Sequence, residues 1–109
     1  MKYKAKQYFD RFSAKDMNEL KKMFHPDIEL LDWDNNVKGI DEVLEINNKL
    51  FKSVDSINVS VLKIVGQENI VFAELLVTII VNGSSTLLNV VDVITFKDEK
   101  LHIIHAFKR

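Results

Sequence analysis

The chain has no cysteine, one proline and three glycines in 109 residues. Without cysteine there is no disulfide framework, no thiol nucleophile and no cysteine-ligated zinc or iron–sulfur site. With Pro26, Gly39, Gly66 and Gly83 as the only strong breakers, long irregular loops are not expected. An excess of one charge is also missing. Fifteen Lys and Arg against 16 Asp and Glu leave a net charge of −1, which gives no electrostatic footprint for nucleic acid. The basic residues 1–7 run straight into Tyr8-Phe9-Asp10-Arg11, with no apolar segment of signal-peptide length behind them. The most apolar run, 75–81, is too short to cross a bilayer. The expectation is a cytoplasmic protein with neither nucleic acid nor membrane as partner. No internal repeat, low-complexity tract or linker is visible.

What is present is an ordinary globular composition, 47% hydrophobic and 28% charged. Its length suits one domain, 1–109, able to bury a core without covalent staples. The first half has helical periodicity. Ala5, Tyr8, Phe9 and Phe12 fall on one helix face, and Ser13-Ala14-Lys15 breaks the pattern. Asp16 with Glu19 three residues on reads as a helix start. Met17, Leu20 and Phe24 then form the stripe of a short second helix that His25-Pro26 ends. Alternation begins at Asp27, with Ile28, Leu30 and Asp32 on one side and Glu29, Leu31 and Trp33 on the other. Asp34-Asn35-Asn36 is turn chemistry. Gly39-Ile40-Asp41 leads into a third helix capped by Asp41, with Val43, Leu44, Ile46, Leu50 and Phe51 as its apolar positions.

Four further strands follow. The first is marked by Ile57, Val59, Val61 and Val65. The others span 70–81, 86–96 and 101–107. Helices followed by an antiparallel meander make an α+β domain. Helices can cover only one sheet face. Yet Ile70, Phe72, Leu76 and Ile80 are apolar on one side of the 70–81 strand, and Val71, Ala73, Leu75, Val77 and Ile79 on the other. A half-covered antiparallel sheet alternates apolar with polar, so the second face needs a cover, and a homodimer through the sheet is expected.

Polar residues in apolar phase are the informative ones. Asp92 shares the phase of Leu88, Val90, Ile94 and Phe96 in mid-strand, where an unpaired carboxylate costs several kcal/mol and must be paired, hydrated or protonated. It reads as a functional group, as a place where the face opens to water, or as the partner of Lys63 or a histidine. Asp32 is in phase with Ile28 and Leu30, and reads either as a site residue or as the start of a solvated turn. Tyr8, on the apolar face of the first helix, reads as core with its hydroxyl at the rim, or as a hydrogen-bond donor in a pocket. His102 and His105 differ in strand parity and cannot chelate one metal together; no metal-ligand set has a recognisable spacing. His102 shares parity with Ile104 and Ala106 and could reach a pocket, but a satisfied or exposed histidine is the preferred reading. Trp33 is placed at a pocket mouth or a dimer edge, and its parity, opposite to that of Asp32, favours the edge.

Two amphipathic helices, the segment FHPDIELLDW (24–33), a glycine before a third helix and the segment VVDVITFKDEKL (90–101) together resemble the nuclear transport factor 2-like (cystatin-like cone) superfamily, most of all its SnoaL-like and ketosteroid isomerase-like branch. The resemblance covers essentially the whole chain. It implies three helices on a curved, mostly antiparallel sheet that forms a cone with an apolar pocket. It also implies a cofactor-independent site without metal. By resemblance to the isomerases, Tyr8 and a neutral Asp92 would donate hydrogen bonds to an enolate oxygen, and Asp32 would shuttle the proton alpha to a carbonyl. Asp34 competes for the role of base, and Trp33 stands where the isomerases usually carry proline. Phe12, Leu30, Leu88, Val90, Ile94, Phe96 and Ile104 would line the pocket. Its ligand would be a small apolar carbonyl-containing or phenolic compound. The superfamily holds isomerases, polyketide cyclases and non-catalytic binding or dimerisation modules, so the resemblance leaves the activity open.

Overall fold

Spacings of three and four in the first half of the chain become helices, and the alternation after them becomes strands. The computed structural model describes all 109 residues. Its elements are α1 (Lys2–Ser13), α2 (Met17–Met23), β1 (Phe24–Leu31), β2 (Asn36–Lys38), α3 (Ile40–Ser53), β3 (Ser56–Gln67), β4 (Ile70–Val81), β5 (Ser84–Lys97) and β6 (Lys100–Lys108). The six strands form one sheet in the order β2-β1-β6-β5-β4-β3. β1 runs parallel to β6, and every other pair is antiparallel. α1 packs on β3, α3 on β1, and α2 bridges the two helices. The result is an α+β cone: three helices against a curved, unclosed, mostly antiparallel sheet.

The helix starts have distinct chemistries. The Asp16 side chain accepts from the Glu19 backbone N–H at 3.1 Å. The reciprocal half of a capping box is absent, because the Asp16 N–H is taken by the Arg11 carbonyl and the Glu19 carboxylate pairs with Lys22. α3 is capped by Gly39 at φ 99 rather than by Asp41, which sits inside the first turn. Only glycine adopts that backbone readily, and Asp41 and Glu42 there complement the helix dipole.

Phe24 belongs to β1, not to the second helix. The residue before proline is forced extended, and the chain reaches that state one residue earlier, with Phe24 at φ −86 and ψ 135. Pro26 is accommodated because the β1–β6 register shifts between Phe24 and Glu29, which leaves a gap in the ladder where a missing N–H does no harm. The short β2 is an addition to the expected strands. It is the return limb of the Asp34-Asn35-Asn36 turn and pairs with Glu29–Leu31.

Two bulges overturn parity readings. In β3 the register shifts between Val61 and Lys63. Beyond it Ile64, not Val65, continues the inner phase, and Val65 is exposed on the outer face. Between β5 and β6, Phe96 faces Leu101 but Thr95 faces Ile103. His102 is the extra residue, out of phase with Ile104. It stacks edge-on against His25 at 5.0 Å, away from the cavity. Bulges bend a strand and raise its twist, which suits a sheet curved around α1.

The outer face is open in the single chain: Val65, Phe72, Leu87, Val91 and Phe107 are all exposed. No helix is long and apolar enough to cross a membrane.

Ser13 does more than break α1. Its Oγ donates to the Phe9 carbonyl at 2.9 Å and accepts from the Val59 N–H at 2.9 Å, satisfying the free edge of β3 and fixing the end of the helix against it. Ser13→Ala leaves the Val59 N–H without that partner and is expected to lower stability by about 1–2 kcal/mol, measured by urea denaturation.

Candidate functional site

A cavity of about 360 Å³ lies between α1, α3 and the concave face of the sheet. That is at the lower end of the range of small-molecule pockets, roughly 300–1,000 Å³. α1 supplies Tyr8, Phe9 and Phe12; β5 supplies Leu88, Val90 and Asp92; β6 supplies Ile104 and Ala106; Leu30 and Asp32 come from the end of β1 and the turn after it. Tyr8, Asp32 and Asp92 therefore face one space. Of the seven apolar residues expected to line a pocket, Phe12, Leu30, Leu88, Val90 and Ile104 do so. Ile94 and Phe96 do not. They continue the phase of Asp92 but lie deeper toward the closed end, 0% and 2% exposed, in the solid core.

Asp92 is 7% exposed. Its cross-strand neighbours are Ala73 on β4 and Ala106 on β6. Two small residues leave room on either side of the carboxyl that larger ones would fill. Burial pushes the Asp92 carboxyl up to about 7, and the negative charge of Asp32 adds to the rise. Tyr8 is 5% exposed, its ring packed against Phe9, Phe12 and Phe24 at 5.4, 5.8 and 6.1 Å. Burial holds its hydroxyl well above the usual phenol range, with Asp92 and then Asp32 contributing. The aromatic contacts orient the ring; Tyr8 keeps its proton at neutral pH, and Asp92 keeps its proton below about pH 7. Two buried O–H donors thus share one apolar space.

Asp32 has two environments. Its Oδ1 accepts from the Asp34 N–H (2.8 Å), the Asn35 N–H (2.7 Å) and Asn35 Nδ2 (3.0 Å). Oδ2 has one longer contact, to Asn35 Nδ2 at 3.2 Å, and so retains acceptor capacity. The residue closes the turn and also lines the cavity. Asp34 reaches the rim but is exposed. Of the two, it is Asp32 whose charge acts on both Tyr8 and Asp92. Trp33 also lines the cavity, half-exposed at its mouth, with Lys108 Nζ 5.1 Å from the ring centre. It stands at the mouth and not at a sheet edge, because β1 ends at Leu31 and parity ceases to apply beyond it.

Sequence reasoning missed Asn47. It occupies the inward stripe of α3 between Val43 and Phe51, is 5% exposed and lines the cavity. The signal was available: positions 43, 47 and 51 are spaced by four, and only the middle one is polar. No group of three or more His, Cys, Asp or Glu side chains is arranged to hold a metal.

The raised Asp92 carboxyl has a consequence for stability. Unfolded, an Asp titrates near ~3.9; folded, Asp92 titrates at about 7. Between these values the folded state binds more protons, so stability falls as pH rises from about 4 to about 7 and this contribution is level outside that window. Asp92→Asn is expected to remove the decline, worth at most about 4 kcal/mol. Melting temperatures of both proteins across pH 4–8 check it.

No curated protein matches the sequence. Solved structures do match in fold. An LEH-like epoxide hydrolase of M. tuberculosis superposes with a TM-score of 0.88 at 11% identity, over 98% of this chain and 80% of that one. AclR, a putative hydroxylase of Streptomyces galilaeus, gives 0.83 at 20% identity, over 99% and 87%. A putative SnoaL-like polyketide cyclase of Jannaschia sp. CCS1 gives 0.85 at 17% identity, over 97% and 83%. At such identities the likeness is one of fold. The family pattern of the SnoaL-like domain matches residues 5–102, nearly the whole cone and with it Tyr8, Asp32 and Asp92, and the chain therefore belongs to the SnoaL-like domain family of the nuclear transport factor 2-like superfamily.

Proposed function

We propose that this protein is a cofactor-independent enzyme of the ketosteroid isomerase-like type, acting on a small carbonyl compound. The observation that carries the reading is a carboxyl held up to about 7 inside an apolar cavity that it shares with the Tyr8 hydroxyl and a second carboxylate, Asp32. Asp32 Oδ2 takes a proton from the carbon alpha to the carbonyl. The C–H electron pair moves into the new C=C bond, and the carbonyl π pair moves onto oxygen. Tyr8 O–H and the Asp92 carboxylic acid donate to that oxygen as its charge develops. Return of the proton from Asp32 to a different carbon of the dienolate shifts the double bond, with no net change in protons or electrons. The apolar surroundings strengthen both donors and hold Asp92 neutral. The fold neighbours bear the names of an epoxide hydrolase, a hydroxylase and a polyketide cyclase, so the fold leaves the chemistry to the residues in the cavity.

A second reading, non-catalytic ligand binding in the same cavity, draws on the three turn hydrogen bonds that occupy Asp32 Oδ1. One experiment separates the two. Titration with 2-naphthol, a mimic of a bound enolate, is expected to weaken about tenfold or more in Tyr8→Phe and in Asp92→Asn. Conversion of cyclohex-3-enone to its conjugated isomer is expected to fall at least about a hundredfold in Asp32→Asn, with naphthol binding retained. Naphthol binding without isomerisation or alpha-proton exchange in the wild type selects the binding reading. Binding indifferent to Tyr8 and Asp92 overturns both.

The reading includes a homodimer through the outer sheet face, where Phe72, Val65, Val91 and Phe107 are exposed and a second copy would exclude water from them. Sedimentation velocity is expected to show dimers that Phe72→Asp converts to monomers; a monomeric wild type overturns this part.

A further inference from the structure

The cavity contains one polar group that the proposed chemistry does not use. Tyr8 comes from α1, Asp92 from β5 and Asp32 from the turn after β1, whereas α3 supplies Ile46, Asn47 and Leu50. Among the polar side chains around the cavity, Asn35 is committed to the Asp32 carboxylate. Asn47 is not committed. Its Nδ2 is fully buried and has no hydrogen-bond partner, the one side-chain nitrogen or oxygen in the chain in that condition. Leaving a buried amide donor unpaired forfeits its hydration with nothing in return. A leucine at position 47 would continue the apolar stripe of Val43 and Phe51 without that cost, with the same branched side-chain skeleton. Packing therefore does not explain the asparagine.

We propose that Asn47 is a second recognition point in the cavity, and that the ligand is a compact carbonyl compound carrying another hydrogen-bonding oxygen or nitrogen function besides the reacting carbonyl. This rests on the reading of Tyr8 and Asp92 as the donors to the first oxygen. An amide turned by half a rotation exchanges donor for acceptor, so Asn47 serves a hydroxyl, a carbonyl or an amine. With the first oxygen held by α1 and β5 and the second function held by α3, the ligand cannot rotate about its first attachment. A fixed orientation presents one alpha carbon, and not its equivalent on the other side of the carbonyl, to Asp32. Asn47 is thus a specificity-determining residue. A cavity of about 360 Å³ suits a ligand of one or two rings in which the two functions are close enough to be held together.

The test compares 2-naphthol, which has one oxygen, with 1,5-, 2,6- and 2,7-dihydroxynaphthalene, in the wild type and in Asn47→Leu. The readout is the ratio of Kd values for 2-naphthol and the best diol. It is expected to be about ten in the wild type, the worth of one well-made hydrogen bond in a buried site, and to fall to near one in Asn47→Leu. Melting temperature, measured alongside, is expected to stay level or rise in the variant, because an unpaired polar group has been removed. A ratio near one in the wild type, or a ratio the variant leaves unchanged, overturns the inference while the Tyr8 and Asp92 reading stands on its own naphthol titrations. A variant that melts several degrees lower and retains the ratio shows Asn47 to be structural. Absence of any naphthol binding, or binding indifferent to Tyr8→Phe and Asp92→Asn, removes the reading beneath the inference, and the inference with it.

Discussion

A carboxyl group surrounded by apolar side chains can be ionised only at high cost, and in this protein it is given no partner to offset that cost. Asp92 sits at mid-strand in β5, flanked across the ladder by Ala73 and Ala106. Burial and the charge of Asp32 keep its proton on. Everything around the site is arranged about that condition. The sheet curves so that its inner face wraps α1; the helices close the space above; and Ala106 lines the cavity beside the carboxyl. A neutral acid is a hydrogen-bond donor where an ionised one would be only an acceptor. The same desolvation that destabilises the fold as pH rises produces the donor. Stability above pH 4 and the presence of the donor therefore pull against each other at one carboxyl.

Asp92 was legible in the sequence because β5 runs from Ser84 to Lys97 with no break in parity before Thr95. Alternation there is a reliable ruler, and a polar residue in apolar phase stands out. Tyr8 was legible for the equivalent reason on a helix, its neighbours Ala5, Phe9 and Phe12 fixing the face. Where the ruler slips, so does the reading. The extra residue at His102 and the shift at Val61–Lys63 reverse the side to which later residues point, and no local feature of the sequence announces them. Trp33 and Asp32 lie beyond the last residue of β1, where side-chain direction is set by turn hydrogen bonds and not by pleating. Ile94 and Phe96 show another limit. Phase says which face a residue occupies, but not how far along the cone the space ends. Asn47 was overlooked because attention went to apolar positions of α3, when the gap in the stripe was the signal.

Asp32 joins two demands in one side chain. Oδ1 organises the turn by accepting from two backbone N–H groups and one amide. Oδ2 has acceptor capacity left, and the charge of the carboxylate acts on Tyr8 and Asp92. The turn thereby fixes the rotamer of the carboxylate, which is the preorganisation a proton shuttle needs. It also gives the residue a purely structural reason to be there. Geometry supports both roles at once, and the substitution that separates them chemically is the amide, which keeps the acceptor for the turn and loses the basic oxygen.

The placement of these groups in two kinds of structure has an evolutionary consequence. Asp92 is written into sheet register: slipping β5 by one residue would put Val91 or Val93 in its place and send the carboxyl to the outer face, with the whole core following. That half of the site tolerates no insertion. Asp32, Trp33 and the mouth belong to a turn between Leu31 and the three-residue β2, where chain length can change without disturbing a ladder. Selection can thus vary Asp32, Trp33 and the entrance while the strand that carries Asp92 stays constant. One scaffold of this kind can reshape the mouth of its cavity by editing a single loop.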